Sequence, residues 1–327
     1  SFWVLDDLTI LRQYDGTSRQ GKFYAPAPTY ISNWYSGLNS NKSKGTDLLK
    51  GVNPASGMVI YYDLPSSSKE IELTLTIKDA QGNMVNTFSS NVDRSYLTYE
   101  GNPPKKPTLS KNVGLNRFVW NMHYPLLPGV PKVYIEGSYS GHQAIPGTYQ
   151  LTLSYDDNHF ETPAIIQANP LYDLSEAQYR AYHEFMSSAA ATYREMTNMT
   201  NLLNEINTKL KSLLAKMNPT NHNELIAMGN PLSEELTLWD GIMVQRLSKA
   251  YDDVENFENG FTAHYLNLIS ESNSPIPKIT KGSQSRKVEL DAEWAIHKQH
   301  AERLLKGQVQ VFNTACQAQS VGVLFVE

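Results

Sequence analysis

Near residue 170 the spacing of apolar side chains changes from two residues to about three and a half, and that change constrains the fold more than any other feature. Before it, Tyr149, Leu151 and Leu153 recur at every second position, the period of a strand with one buried face. After it, Tyr179, Tyr182, Met186, Ala189, Tyr193, Met196, Thr200, Leu203, Asn207, Leu210, Leu214 and Met217 step alternately by three and four, a heptad seam that runs unbroken to Asn218-Pro219. A chain carrying both periods in succession is α+β, with sheets first and helices after them.

The sheet region centres on Val113 to Pro125, where Phe118 and Trp120 form an aromatic core, and on Pro146-Gly147, which opens the strand through Leu153. A central Trp and a Pro-Gly turn ahead of an alternating strand predict an antiparallel sandwich of immunoglobulin or fibronectin type over residues 55–170. Met58 to Leu64 reads as a further strand. Glu70 to Lys78 and Met84 to Phe88 form a hairpin about the turn from Asp79 to Asn83. Tyr149 to Tyr155 and His159 to Gln167 form the last hairpin, while the Pro-rich stretches around Pro104 and from Leu126 to Ala144 read as irregular.

Residues 171–320 are expected to form an antiparallel three-helix bundle. Ser175 with Gln178 supplies a capping box for the seam helix. A second helix carries Leu236, Trp239, Met243, Leu247, Ala250, Val254 and Phe257, and a third runs from about Val288 to Cys316. Phe261 to Ile269 is a shorter helical stretch, and residues 321–327 are β-like enough to serve as an edge strand.

The 327 residues carry a formal net charge of −5, and their longest basic cluster is Lys105-Lys106, which argues against a nucleic-acid partner. No apolar run approaches the roughly 20 residues that a membrane-spanning helix needs. With one cysteine, Cys316, the chain has no internal disulfide framework, and that thiol reads as a small buried apolar group.

Few residues point to chemistry. Glu293, His297 and His300 share one helical face at metal-ligand spacing, but His297 also lies on the apolar seam beside Trp294 and Ala301, so packing is the plainer reading and no metal or cofactor is assigned. The Asp79 to Asn83 segment lacks the twelfth-position Glu of a calcium loop and reads as a turn. Gly137 to Gly141 has Tyr139 where a nucleophile elbow needs Ser, and reads as a flexible loop. Asp6 and Asp7 are adjacent carboxylates that a strand would point to opposite faces, so no catalytic residue is assigned. Tyr30, Trp34 and Tyr35 cluster in the connector of residues 12–54, an aromatic surface suited to packing or to stacking on a sugar ring.

Ser1-Phe2-Trp3-Val4-Leu5-Asp6-Asp7, Asn53-Pro54, Val59 to Tyr62, Gly114 to Trp120, Pro146 to Tyr149, Ser248 to Val254 and Phe312-Asn313 are similar, in order and spacing, to the C-terminal region of bacterial sortilin-like, BNR-repeat β-propeller proteins, often labelled glycosyl hydrolases. The resemblance covers nearly the whole chain. It implies that residues 1–11 are the last strand of a propeller whose other strands precede Ser1, and that the protein is secreted or held in the cell envelope. The function so implied is that of a non-catalytic accessory region docking on its own propeller and offering a surface to a glycan or another envelope protein. The alternative is part of a glycoside hydrolase whose catalytic residues lie mainly in the propeller.

Overall fold

A computed structural model describes residues 7–14, 21–32, 54–65 and 72–324. The expected propeller strand through Leu5 lies outside these residues, as do Asp6, Trp34 and Tyr35. The chain is α+β, and its described residues form two sheets followed by four helical rods.

The smaller sheet contains β1 (Lys22–Phe23), β3 (Met58–Leu64) and β6 (Gly114–Trp120) in the order β1-β3-β6. β3 and β6 pair antiparallel from Met58 opposite Trp120 to Leu64 opposite Gly114. The larger sheet contains β2 (Thr29–Tyr30), β4 (Thr74–Asp79), β5 (Met84–Ser89), β7 (Gly147–Tyr155) and β8 (Asn158–Gln167), ordered β2-β8-β7-β4-β5. All its pairings are antiparallel except that of β2 with β8. Both expected hairpins are present. In the second, Tyr155 faces Asn158 across Asp156 and Asp157, and Asp156 takes the positive φ of 47° that aspartate tolerates in a tight turn.

Strand alternation gives each sheet an apolar face that contributes to one shared cluster. Met58, Ile60, Tyr62 and Leu64 of β3 and Tyr149, Leu151, Leu153 and Tyr155 of β7 point into one apolar cluster. Trp120 lies wholly inside it, edge-on to Tyr149 at 5.8 Å, and its indole N–H donates to the His123 carbonyl. The buried indole nitrogen is thereby satisfied where an unpaired donor would be costly.

α1 (Glu176–Leu214) begins at the expected capping box: Ser175 Oγ accepts from Gln178 N, and Gln178 Oε1 accepts from Ser175 N. Ten members of the heptad seam, from Tyr179 to Leu210, are buried. Tyr179 packs in the sheet core, whereas Tyr182 and the seam residues beyond it pack in a second core shared with the other helices. One helix therefore belongs to both cores.

The remaining helices depart from expectation. α2 (Asn223–Met243) starts well before Leu236 and stops at Met243, so the second helix does not continue to Phe257. Val244 is extended, Asp240 takes Arg246 in a two-toothed ion pair at 2.6 Å, and Thr262 Oγ1 donates to the Met243 carbonyl. Those tertiary contacts turn the chain away, leaving Leu247 exposed and Tyr251–Glu255 as a 3-10 turn. α3 (Phe261–Ser272) buries eight of its residues, among them Phe261, Tyr265, Leu266 and Ile269, and is a full member of the core. The bundle therefore has four rods where three long helices were expected. The last rod is α4 (Lys281–Arg303), a π turn at Leu304–Val309, and α5 (Gln310–Ala318). It starts at the Thr280 cap ahead of Val288, which is exposed.

Residues 321–324 form no strand. The Asn313 side chain instead bonds both the N–H and the carbonyl of Leu324, and residues 325–327 lie outside the described set. No helix among the described residues is long and apolar enough to cross a membrane.

Because α1 links the cores, Trp120→Ala is expected to cost about 3–5 kcal/mol and to lower the denaturation midpoint of helix and sheet together. Far-ultraviolet circular dichroism and near-ultraviolet tyrosine signals followed in urea check this, and two separated transitions would show the cores to be independent.

Candidate functional site

The two cores meet along a strap, residues 122–144, that leaves the end of β6 and returns to the start of β7. Hydrogen bonds from Tyr124 N to the His142 carbonyl, Leu127 N to the Tyr139 carbonyl and Ala144 N to the Met122 carbonyl hold its two arms together. Gly141 is required where the arms touch, because a Cβ there would lie 2.0 Å from the Tyr124 carbonyl oxygen. The strap is far from loose. Leu127, Val130, Val133, Ile135 and Tyr139 are buried in the helical core, and Ser138 N donates to Ser270 Oγ on α3. The flexible loop expected at Gly137 to Gly141 is anchored through buried Tyr139 and Gly141 and the Ser138–Ser270 hydrogen bond, while Gly137 and Ser138 are exposed. Arg194 of α1 clamps the outgoing arm by donating to the carbonyls of Pro125 and Leu126.

Where strap and helix meet, His142 stacks on Tyr124 with ring centres 4.2 Å apart and planes 9° from parallel. His142 Nε2 lies 3.1 Å from His183 Nδ1, and the Ser187 hydroxyl, one turn further along α1, is 3.4 Å from both nitrogens. His142 Nδ1 is buried with no hydrogen-bond partner. Bookkeeping then selects the tautomers. A bare imidazole acceptor is cheaper to bury than an unpaired N–H, so the His142 proton resides on Nε2 and is donated to His183 Nδ1. His183 consequently carries its own proton on Nε2.

Burial also fixes the charge. It drives the His142 pKa from 6.5 down to about 3, with the His183, His123 and Arg194 side chains adding repulsion in the same direction. His183 is lowered by burial too, opposed by the carboxylates of Asp79 and Glu184. Tyr124 is pushed up to about 12 by burial and by the Asp79 charge. Near neutral pH the joint therefore contains two neutral imidazoles against a protonated phenol.

Tyr124 and His183 line a cleft of about 580 Å³ between the β4–β5 turn, the start of β7 and the first turns of α1. A second cleft of about 400 Å³ on the other side of Tyr124 is walled by Phe88, Tyr96, Tyr99 and the prolines Pro103, Pro104 and Pro107. Lys106 sits over the Phe88 ring at 5.5 Å.

Of the residues singled out from sequence, the turn from Asp79 to Asn83 borders the first cleft and the other described ones fall elsewhere. Tyr30, half exposed in β2, is the described member of the aromatic cluster. Asp7 Oδ1 accepts from Thr9 N and closes a turn. Glu293 Oε1 lies 3.7 Å from His297 Nε2, but His300 does not join them. His300 Nε2 turns to Glu235 of α2 at 2.9 Å, and the His297 ring packs edge-on against Phe261. Among the described residues no group of three or more His, Cys, Asp or Glu side chains is placed to hold a metal ion. Asp79 closes its hairpin by accepting from the backbone N–H groups of Gln81 and Asn83. The joint itself was missed, because Tyr124, His142 and His183 belong to no motif and come together only through the strap. No known family, curated protein or solved structure matches this chain.

The histidines give the joint a pH signature. Unfolded, His142 titrates near 6.5 and folded it titrates near 3, so between those values the unfolded chain holds a proton that the folded chain lacks. The joint's contribution is complete above pH 6.5 and falls as the pH drops toward 3, with His183 acting in the same direction. In His142→Phe, which cannot be protonated, the dependence of unfolding free energy on pH is expected to flatten by up to ~1.4 kcal/mol per pH unit in that window. Urea melts at a series of pH values measure this; equal slopes for the two proteins would refute it.

Proposed function

We propose that this chain is the C-terminal accessory region of a secreted or envelope-held, sortilin-like β-propeller protein, in which an immunoglobulin- or fibronectin-like sandwich and a helical bundle act as one scaffold. The scaffold docks on its propeller and presents a binding surface at the cleft between its two cores. The observation that carries this reading is the sharing of α1 between the cores. A helix anchored in both holds the cleft walls in fixed relation, which suits binding and orientation.

The positions of the segments that resemble the propeller family support this reading. Val59 to Tyr62 pair with Asn116 to Val119, and Pro146-Gly147 opens β7. Ser248 Oγ and Lys249 Nζ donate to the strap carbonyls of Tyr134 and Lys132. Asn313 fixes Leu324. These described segments pair strands, open β7, brace the strap or tie down Leu324 after α5, which suits a scaffold.

Residues 1–327, added to the separately produced propeller segment, are expected to form a one-to-one complex by light scattering and to release no sugar from a panel of aryl glycosides and oligosaccharides. Failure to associate would overturn the docking, and turnover by residues 1–327 alone would overturn the non-catalytic assignment in favour of a glycoside hydrolase.

A further inference from the structure

We infer that the 580 Å³ cleft is a site for a small organic ammonium ligand that also carries hydroxyl groups, the chemistry of an amino sugar or amino alcohol. The inference rests on the reading of this chain as a binding scaffold and adds the ligand class; it does not depend on docking to a propeller.

The volume comes first. A recess of this size accommodates one or two sugar-sized rings, and it has three walls from separate elements. The β4–β5 turn supplies Asp79, Gln81 and Asn83, the first turns of α1 supply Arg180, His183 and Glu184, and Tyr124 lies between. All three supports are rigid. The turn is closed by the Asp79 carboxylate, α1 is held by both cores, and Tyr124 is stacked on His142. The side chains facing the cleft therefore need little ordering when a ligand enters.

The charge of the recess selects the ligand. Its fixed charges are the carboxylates of Asp79, Glu176 and Glu184 and the guanidinium of Arg180. Arg180 is engaged with Glu176 at 2.6 Å, leaving Asp79 and Glu184 without a cationic partner on the cleft wall. The field of Asp79 acts on three separate lining groups, opposing ionisation of Tyr124 and Tyr149 and favouring a proton on His183. An anion would meet this potential unfavourably, whereas an ammonium group would neutralise it.

Hydrogen-bonding capacity supplies the rest. The tautomer fixed by the His142 pair leaves His183 as an Nε2–H donor, and the Tyr124 phenol stays protonated with an oxygen able to accept. Gln81 and Thr148 add neutral donors and acceptors along the turn side, while the Asn83 amide already donates to Asp79 Oδ2 at 3.0 Å. A ligand that is a bare cation would leave these unused, and a neutral polyol would leave the two carboxylates uncompensated. A molecule with an ammonium beside hydroxyl groups satisfies both.

The test uses residues 1–327 and calorimetric titration near pH 6, where a sugar amine is protonated. The probes are glucosamine, glucose, N-acetylglucosamine, glucose 6-phosphate, ethanolamine and tetramethylammonium. Glucosamine is expected to bind and to lose about tenfold in affinity when its charge is removed by acetylation, with glucose 6-phosphate weakest. Ethanolamine binding as well as glucosamine would identify the amino alcohol itself as the recognised unit. Glu184→Gln, on the exposed face of α1, is expected to weaken glucosamine about fivefold without changing the unfolding midpoint, and Asp79→Asn to weaken it at least as much. His183→Phe should reduce the preference for glucosamine over tetramethylammonium. Equal binding of glucose and glucosamine, or no effect of Glu184→Gln, would overturn the ligand class while leaving a binding cleft in place. No binding of any probe would overturn the inference, and the docking experiment with the propeller segment would still decide the accessory role separately.

Discussion

The structure depends on one helix occupying two cores. Tyr179 of α1 lies among the sheet residues and Tyr182, one turn later, lies among the helices, with both rings almost wholly removed from water. Each ring contributes on the order of 2 kcal/mol through the apolar area it buries, and they draw on different cores across a single continuous backbone. Rotating or sliding α1 relative to the two sheets would pull one ring or the other into water.

The strap follows from the same constraint. With α1 fixed, residues 122–144 have one apolar surface to cover, and they do so by burying Leu127, Val130 and Val133 without regular secondary structure. Backbone groups of a buried irregular segment need partners, and cross-strap hydrogen bonds together with the Arg194 side chain supply several of them. The close approach at Gly141 then brings His142 against Tyr124 and within reach of His183. A neutral histidine pair and a rigid tyrosine are thus consequences of how the strap is closed. The adjoining cleft inherits the uncompensated acids of the hairpin turn and of the helix.

Some expectations survived contact with the structure because they were local. The seam from Tyr179 to Leu210 is buried almost position for position, and Ser175 with Gln178 caps the helix as the two residue types imply. The hairpin turns after Asp79 and Tyr155 are likewise present. The second helix failed for the converse reason. Leu247, Ala250, Val254 and Phe257 continue a helical spacing, yet the ion pair of Asp240 with Arg246 and the packing of Gly260 on Met243 and Val244 end α2 early. Glu293, His297 and His300 keep helical spacing in the structure, but neighbours on α2 and α3 claim the two imidazoles separately.

By itself the sequence determined the order of the architecture, with strands before helices, the face of α1 that would be buried, and the residues that cap and turn the chain. Periodicity and capping act over three or four residues, so they are written locally. Only the tertiary structure decided where α2 stops, that four rods replace three, and that Tyr124, His142 and His183 form a joint beside a cleft. Those outcomes depend on groups separated along the chain by as few as 6 residues, for Asp240 and Arg246, and as many as 41, for His142 and His183, and their meeting is set by which surfaces remain to be covered once the two cores have formed.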